Sequence, residues 1–371
     1  MVHSEPADVR DSEYRIQRMA PEKYTEWQSR WERYITKVVR NRYCNTEMGE
    51  EIGWYLHPIL AGFYYGYMAT QDVKWIELLL DWADCWIRRG VREPDGYLGW
   101  PKFDAAGASI DNLDRFYADS LLGEAMALIP IVLMSSEILK TPALKEKYGG
   151  KALGYIEVSE QVFKKWDSRG SWRQTDGGEI ISIVLPFGID KKTGAWTDGY
   201  DTRHDPRIGW SHQNNKANLV ASWLLVMSEA TRNSEYRERA EKWFRLMKSR
   251  MQLTDGGLYQ IWNYWQPAGP WDYNTSGLPK HWIGVHRNPA YYEIDVEAMV
   301  LAHEHGVVFT KDDISRLVAT SVAEKRSWPA LLPYDPASQK RFEDSHKPDS
   351  WDGLALTPWY LALQERSPVR P

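Results

Sequence analysis

Between Trp196 and Asn218 the chain reads WTDGYDTRHDPRIGWSHQNNKAN, which gathers His204, His212, Arg203, Arg207, Asp198, Asp201, Asp205, Asn214 and Asn215 beside Trp196 and Trp210. Imidazoles, guanidinium groups and amides at this density can abstract a proton, neutralise a carboxylate and stabilise a developing negative charge. His212, Asn215 and Asn218 are spaced by threes, which on a helix sets them near one face. The segment they lead into, Lys216–Thr231 (KANLVASWLLVMSEAT), is otherwise apolar. Polar groups on such a face are costly unless they meet partners or a ligand. The competing reading is that Ser211 or Asn214 caps the helix and His212 is a satisfied structural residue. The density of polar groups favours a site.

A second constellation runs from Tyr259 to Tyr292. It holds Tyr259, Trp262, Tyr264, Trp265, Trp271, Tyr273, His281, Trp282, His286, Arg287, Asn288, Tyr291 and Tyr292. Part of these aromatics must pack the end of the fold. His286-Arg287-Asn288 stands just before a helix, in the place His212 holds one hairpin earlier. A third group, Asp111–Glu124 (DNLDRFYADSLLGE), carries Asp111, Asp114, Tyr117 and Asp119. A carboxylate pair here could be the acid and base of a glycosidase, against the plainer reading of helix capping with a surface ion pair. His57, with Trp54 and Tyr55 close by, is kept as a substrate contact, although a lone His on an apolar helix is more often structural. Ser350-Trp351-Asp352-Gly353 reads as the cap of the last helix.

These residues need a scaffold, and the sequence supplies one as a repeat. Tyr55–Thr70 is apolar nearly all round and predicts a buried inner helix, and Val73–Arg89 predicts an amphipathic outer one. A turn at Asp95-Gly96-Tyr97 follows. The syntax returns in Lys216–Thr231 with Ser234–Met251, then Asp255-Gly256-Gly257, and more weakly in Tyr117–Lys140 with Pro142–Trp166 and in Tyr291–Val307 with Lys311–Lys325. Thr70, Thr141, Thr231 and Thr310 stand near the inner-to-outer turns. Pro21–Arg40 and Leu354–Leu363 read as the two ends of a circle. The spacing is too irregular for a tetratricopeptide or ankyrin array, and no Val/Ile alternation points to a dominant sheet. The fold class expected is all-α, an (α/α) toroid of about five to seven helical hairpins with long aromatic-rich loops. Residues 21–366 form one domain, between an N-terminal extension, 1–20, and a tail, 367–371. Two connections, Gly170–Gln213 and Gly256–Asn288, are long enough to be functional, and the cleft is expected where they meet.

Composition narrows the ligand. The 371 residues include 20 Trp and 21 Tyr beside 8 Phe, a bias that suits a wet concave surface with flat apolar faces and polar edges. A net charge of −5 without a basic run argues against nucleic acid as partner. No stretch reaches the ~20 apolar residues of a membrane span. Cys44 and Cys85 lack metal-ligand spacing and read as buried thiols, one disulfide being the alternative. No cofactor and no metal is expected, and the chain is expected to be a monomer. Met1–Arg10 carries no apolar signal region. A secreted or periplasmic location, with any leader outside this sequence, is expected ahead of a cytoplasmic one. No P-loop, dinucleotide fingerprint, HExxH or GxSxG run is present.

Alternating inner and outer helices, Asp-Gly-Gly connections and a His/Asn element opening a middle inner helix resemble the α/α-barrel polysaccharide lyases, in particular the glucuronan and alginate lyase group. The resemblance covers most of the chain as architecture, and Trp210–Asn218 and Tyr259–Tyr292 as motif. In those lyases Asn precedes His, whereas this chain reads Ser211-His212-Gln213-Asn214-Asn215. A Tyr roughly fifty residues further on is their proton donor. Tyr264 lies fifty-two positions after His212, with Tyr259, Tyr273 and Tyr292 as rivals. The Arg that often precedes that Tyr is missing, so Arg287 or Arg207 would substitute.

The resemblance implies β-elimination on an acidic polysaccharide. His212 would be the base, Tyr264 the acid, and Asn215 with Arg207 would neutralise the carboxylate. Arg203, Trp210, Asn214, Tyr117, Trp271, Tyr273, His286, Arg287, Tyr292 and His57 would contact substrate, with Lys280 helping to hold the polymer. The main alternative is a hydrolase of the unsaturated glucuronyl type on the same toroid, using Asp114 or Asp119 with Asp201. A carbohydrate-binding scaffold without turnover and a sugar epimerase or isomerase are further alternatives.

Overall fold

The computed structural model describes residues 16–40, 50–101 and 116–366. Five inner helices follow the expected repeat: α2 (Glu50–Thr70), α4 (Leu121–Lys140), α6 (Asn214–Thr231), α8 (Ala290–Glu304) and α11 (Gly353–Arg366). Helix α11 packs on α2, α2 on α4, α4 on α6 and α6 on α8, and α8 meets the 3-10 turn Pro329–Leu331. Outside them lie α3 (Lys74–Ile87), α5 (Pro142–Ser168), α7 (Ser234–Arg250) and α9 (Lys311–Ala323), each paired with the inner helix before it. Helix α1 (Pro21–Val39) backs α11, so the two ends of the described chain meet, and a short α10 (Gln339–Ser345) precedes α11. This is the all-α toroid the repeat predicts. Strand structure among the described residues is confined to three two-stranded antiparallel ladders: β1 (Val91–Arg92) with β2 (Leu98–Gly99), β3 (Phe116–Tyr117) with β6 (Ile189–Asp190), and β4 (Trp172–Thr175) with β5 (Gly178–Ile181).

The inner-to-outer turns show why the repeat works. Thr70 and Thr231 each end an inner helix, and each hydroxyl donates four residues back, to Gly66 and Met227. The next residue, Gln71 or Arg232, takes a left-handed conformation with φ of 55° or 58° and ends the helix. Asp72 and Asn233 then accept from the N–H two residues on, at 3.0 Å in both copies, and open the outer helix. Thr310 instead caps α9 itself, in a capping box with Asp313.

Inner helices also carry prolines that would break an isolated helix. Pro130 in α4 has no N–H for the carbonyl of Met126, and His57 of α2 donates its Nδ1–H to that oxygen at 2.8 Å. Pro358 in α11 likewise frees the carbonyl of Leu354, which accepts from the indole of Trp31 on α1 at 3.1 Å. The His57 contact assigned to substrate is therefore a helix-to-helix bond. Helix α4 is long and apolar enough to cross a membrane, but 78% of an 18-residue apolar stretch within it is buried, as an inner helix requires.

Most of the Trp excess is core. Trp31, Trp82, Trp86, Trp100, Trp166, Trp223 and Trp243 are all fully buried, each contributing about 1.5–3 kcal/mol or more through apolar burial. Ile16 and Met19 are buried at the seam with α11, where Met19 N–H donates to Gln364, so the extension is packed from residue 16. Cys85 is disulfide-bonded, which corrects the reading of buried thiols; Cys44, Asp111 and Asp114 lie outside the described residues.

Candidate active site

A cleft opens between the N-terminal ends of α4 and α6. Its walls include Asp119, Ser182, Tyr200, Arg207, His212 and Lys216. The connection from α5 to α6 builds one wall. It leaves α5 as the β4–β5 hairpin, which packs on α7. Residues 209–212 then return along 181–183: Ile183 N–H donates to Trp210, Gly209 N–H to Ile183, and His212 N–H to Ile181 at 2.8 Å. The β3–β6 ladder ties Phe116 and Tyr117 to the same connection and delivers Asp119 and Ser120 to the start of α4, where Ser120 Oγ accepts from Gly123 N–H.

His212 therefore sits in extended chain before α6, not on its face. Gln213 is the N-cap and makes no side-chain cap bond, so neither Ser211 nor Asn214 caps this helix. The His212 ring is 9% exposed and its Nδ1 has no hydrogen-bond partner. Burial, then the nearby Lys216 and Arg207 charges, push its pKa down to about 3, so it is neutral at neutral pH. Asn215 is 1% exposed with neither side-chain atom paired, and Gln213 Oε1 is also unpaired. Buried polar groups are normally satisfied, and here His212 and Gln213 line the cleft with unspent atoms while Asn215 lies outside its lining. Two helix N-termini face the cleft, and its charged lining is Arg207 and Lys216 beside the carboxylates of Asp119 and Asp205.

Asn218, the third residue of that spacing, is spent on structure. It donates to Asp295 Oδ1 and accepts from the Trp243 indole, both at 2.7 Å. Asp295 also accepts from Trp262, and burial pushes its carboxyl up to about 7. Arg207 sets its guanidinium on the buried Asp205, with Nη2 to Oδ2 at 2.8 Å.

The second long connection meets the first, as expected, but mostly supports it. Asn214 N–H donates to the carbonyl of Tyr264 at 3.1 Å, and Asn214 Nδ2 to that of Asn263 at 2.9 Å, so Asn214 joins segments and its amide is not left for substrate. The Tyr264 ring stacks on Trp282 with centroids 5.7 Å apart and contacts His286 at 4.8 Å and Tyr291 at 5.2 Å. Tyr264 is not among the residues that line the cleft, whereas Tyr200 is; burial, then the Asp205 charge, push the Tyr200 hydroxyl up to about 12.

Several assigned contacts are structural. The buried Tyr292 donates its hydroxyl proton to Trp262 and accepts from His286 N–H. Tyr259 is spent on Asp313 at 2.6 Å, and Trp271 donates its indole N–H to Ser211 Oγ at 2.9 Å. Lys280 donates to the carbonyl of Trp271. Arg203 points outward, 81% exposed, and pairs with Asp201. His286 Nδ1 accepts from Asn288 N–H, and Arg287 and Tyr273 are exposed outside the cleft walls. Tyr117 lies under Lys191, whose Nζ is 5.0 Å from the ring centroid, and Trp210 meets His281 edge-on at 6.2 Å.

Sequence reasoning missed the charges behind Asp119. Lys165 Nζ lies 2.6 Å from both Asp119 and Glu124, all three buried, and Arg169 pairs with Glu93. Burial works to raise Asp119, but the Lys165 ammonium, a hydrogen bond with Glu124 and the Arg169 charge together outweigh it and hold the carboxyl below its usual range. Burial, then Asp119, push Glu93 up to about 8. It also missed Lys216, whose signal was legible as the one cation in the first turn of an apolar helix. No group of three or more His, Cys, Asp or Glu among the described residues is arranged to hold a metal.

No protein-family model matches the chain. Purine nucleoside phosphorylases of DeoD type from Listeria monocytogenes and Listeria innocua are 28% identical over 81 residues, 22% of this chain and 35% of theirs. The chain thus matches only about a third of the length of those curated relatives. Among solved structures, a glycoside hydrolase family 76 mannosidase from Bacteroides thetaiotaomicron superposes with a TM-score of 0.51 at 12% identity, covering 92% of this chain and 99% of that one. A D-mannose isomerase (TM-score 0.45, 13% identity, 96% and 88% covered) and a cellobiose 2-epimerase from Bacillus thermoamylovorans (0.46, 10%, 92% and 87%) are also similar. What the chain shares with the mannosidase is its fold, a single toroid of inner and outer helices.

Proposed function

We propose that this chain is a carbohydrate-processing enzyme, and more narrowly a polysaccharide lyase that cleaves a uronic-acid-containing polymer of glucuronan or alginate type by β-elimination. The observation that carries the reading is His212: a neutral imidazole with an unspent Nδ1, in a cleft whose cations are Lys216 and Arg207. A uronate carboxylate would sit against Lys216 and the Arg207–Asp205 pair. Neutralising it there makes the neighbouring C5 proton more acidic, and the unpaired Asn215 amide can hold the enediolate-like charge.

The step balances without a cofactor. The neutral His212 ring takes the C5 proton, the C5–H electron pair forms the 4,5 double bond, and the C4–O bond breaks. A tyrosine hydroxyl protonates the leaving oxygen. Tyr264 is assigned that role, with Tyr200 on the cleft wall as the rival. Toroid scaffolds host unrelated sugar chemistries, so the fold alone does not choose among them. The disulfide at Cys85 supports a secreted or periplasmic location.

A hydrolase of the unsaturated glucuronyl type is the second reading, because Asp119 and Asp205 both line the cleft. Each is already held by a cation, Lys165 or Arg207, which disfavours it as the catalytic acid. Incubation with polyglucuronate and alginate separates the two. A lyase creates the ultraviolet absorbance of an unsaturated uronate, and the hydrolase consumes it from unsaturated oligosaccharides.

A further inference from the structure

The two long connections are fastened to each other at one residue. Ser211 N–H and Ser211 Oγ–H both donate to Asp272, at 2.8 and 2.7 Å. The Ser211 hydroxyl also accepts from Trp271 Nε1, and its carbonyl accepts from Trp265 Nε1, both at 2.9 Å. Every polar group of Ser211 is thus engaged by residues 265–272 of the second connection. The next residue is His212, whose own N–H is held by the carbonyl of Ile181.

Asp272 is 0% exposed and accepts a third bond, from Ala268 N–H at 2.8 Å. It forms no direct ion pair among the described residues, although its charge acts on the buried Arg250 guanidinium. Only an ionised carboxylate accepts all three donors at once, since an amide or a protonated acid turns one oxygen site into a donor. A buried charge without a direct ion pair is costly, and an apolar side chain would pack the same space without that cost. What the carboxylate adds is a fixed main chain at Ser211.

We propose that Asp272 is a positioning residue that sets His212 in the cleft by clamping Ser211. The proposal rests on the reading of His212 as the base, and acts through the Ser211–His212 peptide without touching substrate. A shift of about 1 Å in a reacting group costs roughly 10²-fold in rate.

The test uses the full chain with Asp272→Asn, and Ser211→Ala as the milder variant should the first fail to fold. Without substrate, the His212 ring resonances are followed against pH by NMR, assigned by their loss in His212→Gln. In the unmodified chain the ring stays neutral from pH 8 to below pH 5. Releasing the clamp admits water to the ring, so its titration moves toward the ordinary value by a pH unit or more. With polyglucuronate or alginate as substrate, kcat falls by roughly 10²-fold while KM changes little, and Asp272→Glu recovers less than the native residue because its longer arm cannot meet both Ser211 donors. An unmoved His212 titration together with an unmoved kcat in a folded variant overturns the proposal. A moved titration in a chain that cleaves no polyuronate supports the clamp and sinks the proposed function instead.

Discussion

The main-chain N–H of Asn214 donates to the carbonyl of Tyr264 at 3.1 Å, so the first residue of α6 is fixed to the aromatic connection that follows α7. The bond ties the chain two residues after His212 to Tyr264, which lies fifty-two positions beyond His212. If Tyr264 is the proton donor, Tyr264→Phe lowers turnover by ~10²–10⁴ and leaves the fold intact, because the ring contacts survive. Tyr200→Phe then has the smaller effect. Steady-state rates of both variants on one polyuronate decide the assignment, and the opposite ranking would move the acid to the cleft wall.

His212 also gives a pH signature. Its folded pKa is depressed, to about 3, against an unfolded value near the ordinary 6.5. Between those values the unfolded chain binds the extra proton, so the native state loses stability as pH falls from about 6.5, at about 1.4 kcal/mol per pH unit. Above 6.5 the group contributes no slope. Denaturant melts of the native chain and His212→Gln should therefore diverge progressively below pH 6.5. Parallel curves down to pH 4.5 would show a solvated ring.

The bond from His57 to Met126 exists because Pro130 has no N–H to offer. His57→Leu orphans that carbonyl and should cost about 1–3 kcal/mol. Adding Pro130→Ala restores an in-helix donor, so the double variant should recover part of the loss. A thermal or urea cycle over the four chains measures the coupling, and strict additivity would contradict it.

Lys165 is the counter-charge for Asp119 and Glu124. Lys165→Met leaves two buried carboxyls without it, and should destabilise by about 3–5 kcal/mol. Because Asp119 lines the cleft, His212-dependent activity should fall as well. A variant that melts like the native chain would show that water reaches this cluster.

The scaffold was legible because its signal is local and repeated. Apolar inner segments, Thr-ended turns and amphipathic outer segments recur along the chain, at uneven intervals, and each is readable without knowing what it packs on. The two long connections were legible as interruptions of that repeat. What each polar side chain does in them was not. Tyr292, Trp271, Tyr259 and Asn218 have the composition of a binding surface, yet their polar atoms are spent on Trp262, Ser211, Asp313 and Asp295. Such pairings join residues 30 to 77 positions apart, and no periodicity encodes them. The threefold spacing at His212 misled because α6 begins only at Asn214, which takes His212 off the helix. The Lys165 cluster was hidden for a related reason, since its partners lie 41 and 46 positions away.

The central claim is that His212 abstracts a proton beside a uronate carboxylate. Its most direct test is the ultraviolet absorbance of unsaturated uronate, followed on polyglucuronate and alginate with the native chain and with His212→Gln. The native chain should give a steady rise on one of the two polymers, and the variant a rate lower by ~10²–10⁴. No rise on either polymer, together with loss of absorbance from unsaturated oligosaccharides, would contradict it and give the cleft to hydrolysis.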